Sequence, residues 1–217
     1  MCTYICIAGG VQLPEIMGSK STYVINQKVS VGGMKIQAGS ELTIGEPSSD
    51  IFEKAGRTLP DSFFPSFSKN LELHVVLGMS VQRISDEGLH TFLNSEWTVS
   101  PESNRIAYRL QGSPLTFENS LPPFGAGSHS SNIVDTAYPL GGIMVTNPEE
   151  IIIPLNDAPT GGGFLTIGAL VSTELDFLNQ CRAQAKIHFC AVTVEQAIQF
   201  RLSKQKLLSD IVDWLAK

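Results

Sequence analysis

Short runs of β-forming residues, separated by turn residues, recur along the chain and limit the folds that it can adopt. Many of the 19 glycines and 12 prolines fall between these runs, where they supply the backbone angles that turns require. Runs this short and this frequent predict a barrel or a sandwich, so the expected fold class is mainly β. The predicted strands are residues 3–7, 22–25, 41–44, 72–77, 98–100, 106–110, 142–146, 151–155, 168–171 and 185–192.

Two segments have helical rather than strand periodicity. Residues 86–94 place Leu89, Phe92 and Leu93 on one face, which predicts a short helix laid over one end of a barrel. Near the C-terminus, Thr193 and Gln196 have the spacing of a capping box and predict the start of a second helix. We expect residues 202–206 to divide that helix into two segments.

The charge pattern excludes two classes of partner. The 217 residues carry 15 Lys and Arg against 21 Asp and Glu, a formal net charge of −6, without any basic cluster. A nucleic acid or an anionic membrane surface would require such a cluster.

Hydrophobicity gives a second exclusion. The chain lacks an apolar run of the roughly 18 to 20 residues that a membrane-spanning helix needs. Small molecules and other proteins are therefore the expected partners.

Residues 46–69 contain three prolines and no clean periodicity, which is typical of a linker. The chain then divides into a first unit with its linker at residues 1–70, a second unit at 71–200 and a helical tail at 201–217. The four cysteines have neither zinc-knuckle nor redox-motif spacing, and the histidines have no second ligand at metal spacing. We expect buried, reduced thiols in a cytoplasmic protein, and no metal site.

One string of residues resembles a known family. Residues 99–112 contain Val-Ser-Pro-x-Ser-x-Arg-x-x-x-Arg-Leu-x-Gly, the signature of the carboxyltransferase C/D family. This family comprises allophanate hydrolase subunit 2, the kinase-inhibitor antagonist of sporulation, the C subunit of 5-oxoprolinase and the matching region of urea carboxylase. Similar flanking segments are Ala-Gly-Gly at residues 8–10, Gly-Ser-Lys-Ser-Thr at 18–22 and Gly-Arg-x-Leu-Pro at 56–60.

The chain departs from the family pattern at several places. Residues 155–164 occupy the position of the family's Asp-x-Gln-Thr-Thr-Gly-Gly-Tyr-Pro string, but Pro159, Gly161 and Leu165 stand where the family has Gln, Thr and Pro. A polar side chain of the implied pocket is therefore missing. The family also begins with a segment that bears a Ser-Gly-Ala-Met-Asp motif, so the resemblance implies that about the first third is absent here.

The resemblance implies two cyclophilin-like β-barrels, the second complete and the first partial, with short helices and a C-terminal helix. It implies a B-type partner subunit, like allophanate hydrolase subunit 1, and in the 5-oxoprolinase arrangement a third subunit. It also implies ATP at the level of the complex. Biotin enters only by analogy with the urea carboxylase branch, and we expect no cofactor to be bound by this chain alone.

Arg105 and Arg109 are the first candidate site residues, with Ser100 and Ser103 beside them. A guanidinium group can hold a carboxylate or a phosphate through two parallel hydrogen bonds. We therefore predict Arg105 as catalytic and the other three as substrate-binding. The alternatives are that Arg109 forms a structural salt bridge and that Ser100 ends a turn ahead of Pro101.

The second group of candidates comprises Asp157, Thr160, Gly161, Gly162 and Gly163. Glycines in a loop can expose several backbone N–H groups as an anion-binding concavity or an oxyanion hole. We predict Asp157 and Thr160 as catalytic and the three glycines as substrate-binding. The alternative is an ordinary turn, which an Asn-Asp pair such as residues 156–157 also starts.

These features lead to two functional hypotheses. The first is a subunit of an ATP-dependent 5-oxoprolinase, or of a biotin-dependent carboxyltransferase-like complex, that acts on a small amide or lactam. The second is a non-catalytic regulatory or binding protein derived from this family. An incomplete first barrel would leave an open strand edge, which natural proteins cover or pair. We therefore also expect a partner chain or a homodimer.

Overall fold

The structure is a computed structural model that describes residues 4–22, 36–66, 68–118 and 121–216. The described residues form two compact units, which divide between Asp61 and Ser62. The larger unit contains all the named strands and the three α-helices of the described residues.

The larger unit is built around a closed β-barrel of seven strands. Around the barrel the order is β1, β8, β2, β3, β6, β5 and β7, and β7 pairs back with β1 to close it. Neighbouring strands are antiparallel except β1 and β8, while β4 extends the sheet outward from β7. The strands are β1 (Asn70–Leu77), β2 (Trp97–Val99), β3 (Ala107–Gln111), β4 (Asn132–Ala137), β5 (Gly142–Asn147), β6 (Glu150–Pro154), β7 (Gly161–Leu170) and β8 (Lys186–Ala191).

Alternating apolar side chains of these strands fill the barrel, because successive residues of a strand point to opposite faces. In β6, for example, Ile151 and Ile153 are fully buried, and Tyr108 and Leu110 of β3 face them. Trp97 is also fully buried, and its indole nitrogen donates a hydrogen bond to the carbonyl oxygen of Phe92 at 3.1 Å. The prediction of a mainly β fold with a complete barrel is confirmed.

Helix α1 (Asp86–Asn94) lies where the sequence predicts it. The side chain of Ser85 accepts a hydrogen bond from the Gly88 N–H at 3.0 Å and caps the first turn. Phe92 is the buried anchor of this helix, and its ring stacks on that of Phe189 at 4.7 Å. The helix thereby adds its apolar face to the barrel core.

Two further helices follow, α2 (Leu175–Gln180) and α3 (Val194–Leu215). The capping box is confirmed, since Thr193 and Gln196 exchange both side-chain hydrogen bonds. The predicted break at residues 202–206 is wrong, because α3 is continuous through them. Leu, Lys and Gln are good helix formers, and Lys204 is held by Asp176 through an ion pair at 2.5 Å.

The smaller unit contains no extended strand within its described residues, 4–22 and 36–61. Isolated bridges join Val11 to Ile44 and Ile16 to Ser19, and a 3-10 helix covers Ile51–Lys54. The predicted strands at 3–7 and 41–44 are thus wrong over the described residues, apart from the bridge at Ile44. Residues 23–25 of the predicted strand at 22–25 lie outside the described part of the chain.

Strand β4 and residues 161–167 of β7 were not predicted. The side chains of β4 are mostly exposed, so it has no inward-facing apolar stripe. Three glycines open β7, and glycine is unfavourable in strands. Pairing between the two segments stabilises both, with Gly161 opposite Ala137 and Gly162 opposite Thr136. Among the described helices, none is both long enough and apolar enough to cross a bilayer.

Candidate functional site

Arg105 and Asp157, 52 residues apart in sequence, meet at one edge of the barrel. Strands β3 and β6 are antiparallel, with Ala107 opposite Pro154, so the loops that precede β3 and follow β6 emerge side by side. The Arg105 Nε lies 2.6 Å from Asp157 Oδ2, and its Nη2 donates to Oδ1 at 3.4 Å. The structure therefore brings together two of the three predicted catalytic residues.

Local hydrogen bonds hold both of these loops. The side-chain oxygen of Asn104 accepts from the Ile106 N–H at 2.8 Å, and the Ile106 carbonyl accepts from the Leu155 N–H at 2.8 Å. The Ala158 N–H then donates to the Leu155 carbonyl at 3.0 Å, which closes a turn around Asp157. The Asp157 side chain is 20% exposed and that of Arg105 is 62% exposed, so the pair opens to solvent on the arginine side.

Ser100 and Ser103 make hydrogen bonds within the loop that leads into β3. The Ser103 hydroxyl accepts from the Arg109 N–H at 3.0 Å and donates to the Arg109 carbonyl at 3.2 Å. The Ser100 hydroxyl is buried and accepts from the Glu102 N–H at 3.2 Å. Both side chains thus fix the backbone of the loop that carries Arg105.

Arg109 is paired with a different carboxylate from Arg105. Its Nη1 lies 3.2 Å from Glu150 Oε1, and the same oxygen accepts from the Thr146 hydroxyl at 2.7 Å. The alternative stated above for Arg109, a structural salt bridge, therefore matches this contact. The two guanidinium groups therefore do not converge on one carboxylate, and substrate contact by Arg109 stays a prediction.

The predicted glycine loop is instead part of a strand. Gly161, Gly162 and Gly163 begin β7 and run beside β4, so the expected open concavity is replaced by strand pairing. The Thr160 carbonyl accepts from the Tyr138 N–H at 2.8 Å, which places Thr160 at the start of this ladder. A Cβ atom on Gly162 would lie 2.9 Å from the Tyr138 hydroxyl, so a larger residue at this position would have to displace the Tyr138 side chain.

A cavity of about 300 Å³ lies beside the Asp157 turn. Its walls include the flanking residues of Asp157 and are largely apolar: Tyr138, Pro139, Leu140, Pro154, Leu155, Asn156, Ala158, Pro159 and Thr160. Pro159, which departs from the signature of the family that the sequence resembles, is part of this wall. The cavity is near the lower end of the size range of small-molecule sites, about 300 Å³.

Tyr138 is a polar group of this cavity that the sequence analysis missed. Its hydroxyl oxygen accepts a hydrogen bond from the Phe164 N–H at 2.6 Å. Burial raises the pKa of Tyr138 and nearby Asp135 adds to the rise, while the Phe164 hydrogen bond opposes it. The phenol therefore keeps its proton and can act as a donor. In the sequence, a tyrosine ahead of Pro139 is typical of a turn and does not indicate a site. The position of Tyr138 in the cavity wall depends on the pairing of β4 with β7.

In the described part of the chain, His, Cys, Asp and Glu residues form no group of three or more that could hold a metal ion.

A close pair of titratable side chains lies away from this site. His74 and Glu174 are 100 residues apart in sequence, and His74 Nδ1 is hydrogen-bonded to a Glu174 oxygen. No local sequence pattern links these two residues.

Comparisons with known proteins add to this geometry. The model of the carboxyltransferase domain, subdomain A and B, matches residues 1–191. The chain is 27% identical to the C subunit of 5-oxoprolinase from Escherichia coli over 97% of its own length, and 27% identical to urea amidolyase of Saccharomyces cerevisiae over 96%. It spans 63% of the first of these proteins and 12% of the second.

The solved structures agree with the sequence comparisons. The crystal structure of Kluyveromyces lactis urea carboxylase matches 92% of this chain with a TM-score of 0.79 and 29% sequence identity. The match covers 18% of that longer chain. The shared part is therefore one segment of a larger enzyme in that protein.

Proposed function

Since this chain belongs to the carboxyltransferase-domain family, we propose that it is one part of a multi-subunit enzyme and that it binds a small amide or lactam. The family match and the Escherichia coli relative, the C subunit of a 5-oxoprolinase, support this class of substrate. The chain spans less than two thirds of the length of the curated relatives described above, so the activity of the whole protein is itself part of this proposal.

The observation that carries the proposal is the Arg105–Asp157 pair beside the cavity. Arg105 uses Nε and Nη2 on Asp157, and a guanidinium group has further N–H groups to donate. A urea or a lactam presents a carbonyl oxygen and an N–H group on the same side. The pair offers the complementary edge, because Arg105 can donate to the carbonyl oxygen while Asp157 accepts from the N–H.

The surroundings suit a ligand of this size. The cavity volume of about 300 Å³ accommodates a compact molecule, and proline and leucine residues supply apolar contacts in its wall. Arginine in such a position also binds a carboxylate, which 5-oxoproline carries and urea lacks. We therefore place 5-oxoproline ahead of urea as the ligand.

The assembly would contain a B-type subunit and, in the 5-oxoprolinase arrangement, a third component that couples ATP to ring opening. Biotin would belong to another part of the assembly, and only in the urea carboxylase form. A cytoplasmic location is part of the same proposal, since ATP-driven opening of a lactam requires the nucleotide.

Binding to this chain alone is the first test. Isothermal titration with 5-oxoproline and, separately, with urea would be compared for the unmodified chain, Arg105→Ala, Asp157→Asn and Lys206→Ala. We expect both site variants to weaken binding at least about tenfold, the loss of one charge-assisted hydrogen bond. Lys206→Ala removes an exposed ion pair on α3 and serves as the matched control. Binding that is equal in all four proteins would refute the site assignment.

A second candidate function is non-catalytic binding or regulation. Pro159 of the cavity wall departs from the family signature, and Ser100, Ser103 and Arg109 each make polar contacts to other groups of this chain. Reconstitution with the B-type and ATP-coupling partners separates the two functions. Substrate-dependent ATP hydrolysis that Arg105→Ala abolishes supports the enzyme, whereas ligand binding without any hydrolysis supports the regulatory protein.

A further inference from the structure

A histidine and a cysteine are neighbours on the outer face of the barrel, away from the Arg105 site. In the parallel pairing of β1 with β8, His74 lies directly opposite Cys190. Leu73 and Val75, on either side of His74, and Phe189, which precedes Cys190, are buried in the core. Because side chains alternate along a strand, His74 and Cys190 both project outward, and neighbouring strands lie about 5 Å apart.

A buried carboxylate holds the imidazole of His74. Glu174 follows β7, is 7% exposed, and has one oxygen 2.5 Å from His74 Nδ1 and the other 2.5 Å from the backbone N–H of His74. An ionised carboxylate only accepts hydrogen bonds, so Nδ1 donates to Glu174 and Nε2 is the ring nitrogen that this contact leaves unengaged. The Nε2 atom is 3.9 Å from the exposed carboxylate of Glu72.

Helix α3 fixes the imidazole from a third direction. The ring of Phe200 lies 4.6 Å from the His74 ring with an interplanar angle of 34°. The histidine thus has Glu174 on its Nδ1 side, Phe200 across its face and Cys190 on the adjacent strand. Cys190 itself is exposed to solvent.

We propose that Cys190 is a nucleophilic thiol with His74 as its base and Glu174 as the positioning residue, and that it is a site of covalent modification by soft electrophiles. A base that is oriented by a third group is the arrangement that activates cysteine in many proteins. The thiol proton passes to His74 Nε2, and the thiolate sulfur forms a bond to the electrophilic carbon. The leaving group departs with the electrons of the broken bond, and His74 later releases the proton to water.

The other cysteines of the described chain provide internal references. Cys6 is exposed in the smaller unit and measures the reactivity of an ordinary accessible thiol. Cys181 is buried, and burial raises the pKa of its thiol to about 11. The prediction of buried thiols is therefore confirmed for Cys181 and wrong for Cys6 and Cys190, and Cys2 lies outside the described residues.

The test is competitive alkylation of the full chain with iodoacetamide at neutral pH, with each cysteine quantified by peptide mass spectrometry. We expect Cys190 to react at least about tenfold faster than Cys6. His74→Ala should lower the Cys190 rate to that of Cys6, and Glu174→Gln should give an intermediate rate. Continued protection of Cys181 shows that each variant is folded, and His188→Ala, an exposed histidine on the same strand as Cys190, is the matched control.

Equal rates for Cys190 and Cys6 in the unmodified chain would overturn the proposal. A Cys190 rate that His74→Ala leaves unchanged while Cys181 stays protected would overturn it as well. Neither result depends on amide or lactam binding, so this inference stands or fails separately from the proposed function.

Discussion

Replacement of Gly88 with alanine has two opposing effects on stability, a gain in helix propensity and a clash with the neighbouring loop. Gly88 lies in helix α1, where alanine is favoured over glycine by about 1 kcal/mol in an exposed position. A Cβ atom at this position would, however, lie 2.2 Å from the carbonyl oxygen of Thr116 and 2.8 Å from Cγ2 of Ile84. The carbonyl is backbone, so it cannot rotate away as a side chain can.

The Thr116 segment is also tied to the helix. The Ser85 N–H donates to the Thr116 carbonyl at 3.1 Å, and the hydroxyl oxygens of Ser85 and Thr116 lie 2.5 Å apart. Relief of the clash therefore costs about 1–3 kcal/mol of overpacking and about 1 kcal/mol for the weakened hydrogen bond. After the gain of about 1 kcal/mol in helix propensity, Gly88→Ala should lower the free energy of unfolding by about 1–3 kcal/mol.

Urea denaturation followed by circular dichroism measures this loss, with an unchanged slope showing that the unfolded state is the same. His90→Ala is the matched control because His90 is exposed on the same helix, and its effect should stay within about 0.5 kcal/mol. A Gly88→Ala protein that is as stable as the parent chain, or more stable, would refute the close approach of helix and loop.

Two further perturbations test the core. Phe92→Ala removes a fully buried ring stacked at 4.7 Å on Phe189, so urea denaturation should show a loss of about 3–5 kcal/mol, and a loss below about 1 kcal/mol would contradict the packing. Burial raises the pKa of Cys181 from 9.0 to about 11, so ionisation favours the unfolded chain and stability should fall as the pH rises through that interval. Cys181→Ala should flatten that part of the pH profile; an equally steep decline in the variant would show that other groups cause it.

The barrel strands that the sequence predicts correctly share one property, a short run rich in β-forming residues between turn residues. Strands β5 and β6 are clear examples, because Ile143 and Val145 of β5 and Ile151 and Ile153 of β6 are fully buried, and Gly and Pro flank both runs. The same local logic predicts α1 and the capping box of α3, since a helix cap involves residues only three apart.

Candidate site residues were predicted less completely. The motif around Arg105 and the loop of Asp157 were both identified from sequence, yet only the structure shows that these two side chains form an ion pair. Gly161–Gly163 was predicted as an open loop, and Tyr138 was not predicted at all. Both outcomes have one cause, the pairing of β4 with β7, which no period in either segment reveals.

By itself, the sequence determined the mainly β class, the separate helices, the lack of a basic cluster and the family to which the chain belongs. These depend on residues that are close in sequence or on composition. Only the tertiary structure decided the strand order that closes the barrel, the Arg105–Asp157 pair and the Glu174–His74–Cys190 arrangement. Each of these features joins residues that are far apart in sequence. Strand register around a common core determines which side chains come into contact, and no local propensity contains that information.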